Sequence, residues 1–136
     1  LCWGWIDGVR KSLDERSFLQ RLTPRGPKSS WSKINVDKVA ALTAAGLMTG
    51  HGLKHVEAAK ADGRWDAAYA GGKDAQVPQD FLDALTPEAA QTYQTLNAQN
   101  RFAIYYRLTT AKRPETRAKR IADFVAMLAR GERFYP

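Results

Sequence analysis

The sequence predicts an α+β fold, mainly helical, with five or six helices behind a small N-terminal antiparallel β-hairpin. Three observations predict it. All 21 alanines lie from Ala40 onward, and alanine is the best helix former. Three of the four tryptophans fall within the first 31 residues, among β-favouring neighbours. Ile121, Phe124, Val125 and Leu128 recur at the spacing of one helical face.

In the hairpin, Trp3, Trp5, Asp7 and Val9 alternate with Cys2, Gly4, Ile6 and Gly8. A polar corner at residues 13–16 then leads into a second extended run over 17–23. Two strands are marginal by themselves, so helices or further strands must cover one face. Asn35 is expected to cap a helix through Val36, Val39, Ala40 and Thr43 that ends near Gly46. A second helix starts around residues 50–52, places Leu53, Val56 and Ala59 on one side, and stops at Asp62-Gly63. Gly71-Gly72-Lys73-Asp74 reads as a surface loop. Pro78 and Pro87 sit where a first helical turn tolerates proline, with Thr86 as a cap. Asn97 or Asn100 opens a helix whose Phe102, Ile104, Tyr105, Tyr106 and Leu108 suggest burial, and the last helix runs from Pro114 to Arg130-Gly131.

The 136 residues fit a single domain over 1–136, long enough to bury about two-thirds of the surface of the unfolded chain. No apolar run approaches the roughly 20 residues of a membrane span. The lone Cys2 cannot form an internal disulfide, which favours a cytoplasmic setting. The chain opens on Leu1, and its first residues read as the inside of an element, so the true N-terminus is expected to lie upstream.

Charge divides unevenly. Lys and Arg number seven against three acids over 1–33, seven against eight over 34–111, and seven against three over 112–136, for a net +7. Basic ends around a balanced middle suit an anionic partner, although charge alone favours the plainer reading of a merely soluble surface. Nucleic acid fits the charge, but no nucleic-acid motif accompanies it.

Four features could carry chemistry. Arg113, Arg117 and Arg120 fall on one face at the start of the last helix, with Lys112 and Lys119 beside them, and could clamp an anion or pair with structural carboxylates. Glu115 is placed to pair with Lys119. In the loop after the hairpin, Arg21, Arg25, Lys28 and Lys33 stand beside Trp31 and Ser32, a pattern that can hold a phosphate or pin the loop to the core. Asp7 is expected to be partly desolvated on the tryptophan side of the first strand, as a weak candidate acid/base or as a structural tie to an arginine. His51 and His55 stand four apart like helical metal ligands, but a lysine lies between them and no zincin glutamate does, so they are weak candidates. No cofactor-binding signature is present.

Cys2-Trp3-Gly4-Trp5-Ile6-Asp7-Gly8, Arg21-Leu22-Thr23-Pro24-Arg25, Trp31-Ser32-Lys33-Ile34-Asn35 and the run from Thr110 to Ile121 together resemble the bacterial YdeI/OmpD-associated family. The resemblance runs along essentially the whole chain, most loosely over 71–76. It implies strands preceding Leu1, a link to bacteriocin protection, cationic antimicrobial-peptide resistance and an outer-membrane porin, and a periplasmic location as an alternative to the cytoplasm. It implies no reaction and no catalytic residues. Three readings follow: a non-catalytic binding module with a basic anion-binding surface, an enzyme on a phosphorylated or carboxylated small molecule using Asp7 with Arg25, Lys33 and Arg117, and a structural assembly protein. The oligomeric state is not legible in the sequence.

Overall fold

The computed structural model describes residues 1–71 and 74–136, so Gly72 and Lys73 of the expected 71–74 loop lie outside the described residues. The chain forms two compact units, Leu1–Ala70 and Gly71–Pro136. An antiparallel two-stranded sheet and six helices are present among the described residues, as the composition predicts.

The first unit opens with β1 (Trp5–Ser12) and β2 (Phe18–Pro24). Their turn is organised by Asp14, whose carboxylate accepts from the Arg16 and Ser17 amides at 2.8 Å each and from the Ser17 hydroxyl at 2.5 Å. Those bonds, the hydroxyl's first, hold the Asp14 carboxyl below its ordinary pKa. Trp5 pairs with Pro24 and Asp7 with Leu22, but Arg10 pairs with Gln20, so the register slips between Asp7 and Arg10. An irregularity of this kind breaks strict alternation. Neither strand is buried: Trp5, Asp7 and Val9 are all exposed, and the expected desolvation of Asp7 does not occur.

Helix α1 (Lys33–Ala44) is capped by Ser32, not by Asn35. The Ser32 Oγ accepts from the Asn35 amide at 3.2 Å, so Asn35 stands inside the first turn as the capped residue. Gly46 follows the helix with φ +68°, a conformation that glycine adopts without steric cost. Helix α2 (Gly50–Ala61) is capped by Thr49, whose Oγ1 accepts from the Gly52 amide, and it stops at Asp62-Gly63 as expected. Trp31, Val39, Val56 and Ala59 form the core, with Val36, Met48 and Trp65 against it.

The second unit contains α3 (Gln79–Asp83), α4 (Pro87–Gln94), α5 (Ala98–Thr109) and α6 (Pro114–Ala129). Thr86 caps α4 ahead of Pro87. Asn97 caps α5, leaving Asn100 free for another task. The Asn100 side chain is buried, donates to the Asn97 side chain and the Tyr135 carbonyl, and accepts from the Tyr135 amide at 3.1 Å. A single amide thus ties the C-terminal segment to α5. Phe81, Ala89, Leu96, Ile104, Leu108, Phe124 and Leu128 make the core, and Ile121 and Val125 of the predicted stripe pack against it. Helix α5 is buried along Ala103, Ile104, Tyr105 and Leu108, while Phe102 faces outward.

Leu128 is fully enclosed in this cluster, so Leu128→Ala should destabilise the protein by about 2–5 kcal/mol. Leu19→Ala, at an exposed hairpin position, should change it by less than about 0.5 kcal/mol. Urea titration of both variants checks the contrast.

Candidate functional site: an indole-lined hollow and a basic hairpin

The loop between β2 and α1 is held by one stacked cation. Arg25 is 4% exposed, its guanidinium lies 3.8 Å from the centre of the Trp31 ring, and its Nη1 donates to the Ser30 carbonyl at 3.0 Å. Burial, then the like charge of Arg64, lowers the Arg25 pKa from its ordinary value, while Tyr69 and Asp7 act the other way. Arg64 donates to the Ser29 carbonyl at 2.8 Å and pairs with Asp62. The Ser32 hydroxyl caps α1, and Tyr69 exchanges backbone bonds with Trp31 and Lys33. The structure therefore brings Arg25, Trp31 and Ser32 together, but in structural contacts. Of the cations expected to hold an anion here, Arg21, Lys28 and Lys33 remain exposed.

The segment before β1 is packed onto α2 by two glycines. A Cβ on Gly52 would lie 2.3 Å from the Cys2 carbonyl oxygen, and one on Gly4, at φ +74°, would lie 2.4 Å from the His55 ring. That close approach lets Cys2 O accept from both the Thr49 amide at 3.1 Å and the Thr49 hydroxyl at 2.6 Å. His51 stacks on Trp3 with ring centres 6.0 Å apart. Packing thus accounts for both histidines, and no group of three potential metal ligands exists among the described residues.

Docked in this way, Trp3 and Trp5 line an open hollow of about 490 Å³ together with Leu22, Asp7, and Asn35 and Lys38 of α1. Asp7 is the one member that sequence reasoning offers as a site residue, Trp3, Trp5 and Asn35 being read there as strand and helix-cap residues. The others escaped it because Asn35 and Lys38, one helical turn apart, reach the indoles only through the fold. The usable signal was the pair Gly4 and Gly52, each marking a close backbone approach.

In the second unit the expected Arg113/Arg117/Arg120 clamp is divided. Arg117 grips Asp80 with both guanidinium nitrogens, Nη2 to Oδ1 at 2.8 Å and Nη1 to Oδ2. The Arg117 bond holds the Asp80 carboxyl below its ordinary pKa and raises that of Arg117 in turn. Arg120 donates to the Arg107 carbonyl, fastening α6 to α5. Lys119 pairs with Asp123 at 2.9 Å rather than with Glu115. Arg113 occupies the N-cap position without a side-chain cap and stays exposed, as does Lys112.

Gly52→Ala should displace the Leu1–Gly4 segment, because a methyl group would meet a backbone oxygen that has no rotamer to yield. A loss of about 1–3 kcal/mol and altered tryptophan fluorescence are expected, whereas Gly50→Ala, with open space around it, should change stability by less than about 1 kcal/mol. The Asp80–Arg117 pair sets a pH dependence. A depressed carboxyl pKa contributes stability that is present above the unfolded value, near pH 4, and is lost as the pH falls through the folded value. Asp80→Asn should therefore flatten the acid limb below about pH 4 in thermal melts across pH.

Residues 74–131 match the family described as Bacteriocin-protection, YdeI or OmpD-Associated. Residues 1–55 match a separate domain of unknown function (DUF8412), so the three N-terminal motifs fall outside the first match. No curated protein and no solved structure matches the chain. No helix among the described residues is long and apolar enough to cross a membrane. The family likeness is thus carried by 74–131, the segment that holds the motif ending at Ile121.

Proposed function

We propose that the protein is a non-catalytic binding module whose basic hairpin engages an anionic partner, contributing in that way to bacteriocin or cationic antimicrobial-peptide tolerance. One observation carries this reading. Arg10, Lys11, Arg16 and Arg21 are exposed on or beside β1 and β2, and none forms an ion pair among the described residues. Apolar side chains stand exposed between them, including Phe18, Leu19 and Leu22, and the Arg10 guanidinium rests 3.6 Å above the Phe18 ring. Exposed cations, one of them held on an aromatic face, beside apolar surface suit an extended anionic partner, because charge draws it in and apolar contact retains it. Direct capture of a cationic peptide would work against the same charge.

Support for binding over catalysis comes from how the other cations are used. Arg25 and Arg117, which an enzyme would need to hold a substrate anion, are committed to Ser30 with Trp31 and to Asp80.

Titration of a fluorescent oligonucleotide and of heparin across ionic strength tests the proposal. Affinity should fall linearly with salt on logarithmic axes, and Arg10→Glu, Lys11→Glu and Arg21→Glu should each lower the slope for duplex DNA by about 0.9 or more. Absence of salt-sensitive binding to either polyanion removes this reading.

A further inference from the structure

We infer that the hollow lined by Trp3, Trp5 and Leu22 together with Asp7, Asn35 and Lys38 is a carbohydrate-binding site for one or two pyranose rings. Its apolar wall is made of wide, flat rings. Trp3 is 63% and Trp5 46% exposed, so both indoles present surface that nothing in the unit covers. Sugar rings carry faces of C–H groups with slight positive character, which lie favourably against the negative face of an indole. Smaller apolar side chains offer no comparable flat area.

The polar wall narrows the ligand class. Asp7 is an acceptor, Lys38 a donor and the Asn35 side-chain amide both. None of these three side chains has a hydrogen-bond or ion-pair partner among the described residues, although the Asn35 backbone amide is used by Ser32. Hydroxyls both donate and accept, so a polyol satisfies all three kinds of group at once. The two charges are opposite and sum to zero. A phosphate would lose to Asp7 what it gains from Lys38, and an ammonium the reverse, so charge gives neither an advantage over a neutral sugar.

Size and rigidity agree. About 490 Å³ falls within the range of small-molecule clefts, roughly 300–1,000 Å³, and the opening lets a longer glycan run past. Both walls are fixed in advance. Trp3 is pinned by the Gly4 and Gly52 approaches, the Cys2–Thr49 bonds and its stack on His51, Asn35 and Lys38 ride on α1, which Ser32 caps, and Asp7 is held on β1 opposite Leu22 of β2. A preformed site loses little ordering entropy on binding. This inference stands apart from the polyanion proposal, because a neutral sugar binds independently of ionic strength.

The test is tryptophan fluorescence and two-dimensional NMR of the full chain with cellobiose, N,N′-diacetylchitobiose, maltose and adenosine. At least one disaccharide should bind saturably below about 10 mM, equally in low and high salt, with indole N–H shifts confined to Trp3 and Trp5. Trp5→Ala should weaken that binding about tenfold, and the exposed-site variants Asp7→Ala and Lys38→Ala, which leave the core untouched, should weaken it several-fold. The inference is overturned if no sugar shifts Trp3 or Trp5, if adenosine alone binds, or if Asp7→Ala and Lys38→Ala bind sugar as the parent chain does.

Discussion

Within the first unit everything is built around Trp31. The ring is 2% exposed, packs at 4.9 Å from Trp65, carries the Arg25 guanidinium on its face, and lies in the residue immediately before the cap of α1. Its backbone accepts from Tyr69, which returns the chain from the end of α2 to the start of α1. One side chain therefore ties together the exit of the hairpin, the entry of a helix and the end of the unit. It exacts a cost, because the indole N–H is buried without an acceptor among the described residues. An unmade bond of this kind costs about 1–3 kcal/mol, which the burial of so large a ring offsets.

The second unit solves the same problem with an amide. Asn100 is 1% exposed, donates to the Asn97 side chain and the Tyr135 carbonyl, and accepts from the Tyr135 amide. Around it, Arg101 donates to the Leu96 and Gln94 carbonyls, and Arg120 donates to that of Arg107. Helices end with carbonyls that lack intrahelical partners, and in both units arginines satisfy carbonyls in loops or at helix ends. Net positive charge is thus partly a structural resource, and counting cations overstates what is left for a ligand. Of the remainder, Arg10, Lys11, Arg16 and Arg21 stand exposed on the hairpin, while Lys28, Lys33, Lys112 and Arg113 are exposed elsewhere.

Both proposed sites fall in the first unit, yet they call on different physics. The hairpin cations act over a Debye length and tolerate many anionic partners. The hollow depends on fixed rings and unpaired polar groups at short range, so it discriminates by shape. The segment resembling the YdeI/OmpD-associated family lies in the other unit, where Arg117 and Arg120 are absorbed by internal bonds.

The elements were largely legible in the sequence because local rules govern them. Thr86 before Pro87, Gly46 and Gly63 after their helices, and the stripe through Leu128 each act within a turn or two of chain. Where two residues three apart could each cap one helix, as Ser32 with Asn35 and Asn97 with Asn100, local rules were insufficient, since both members of each pair are residue types that favour the cap. The sites were less legible for a related reason. Charge and residue type are written in the sequence, but pairing is not: Arg117 finds Asp80 across 37 positions, and Cys2 meets Thr49 across 47. Asp7 was noticed for its alternation with tryptophans, yet the exposed hairpin left it in solvent and set Asn35 and Lys38 near it. By itself the sequence determined which stretches are helical and how much charge the chain carries. Only tertiary packing decided which cations are spent, because partners distant along the chain compete for them in space.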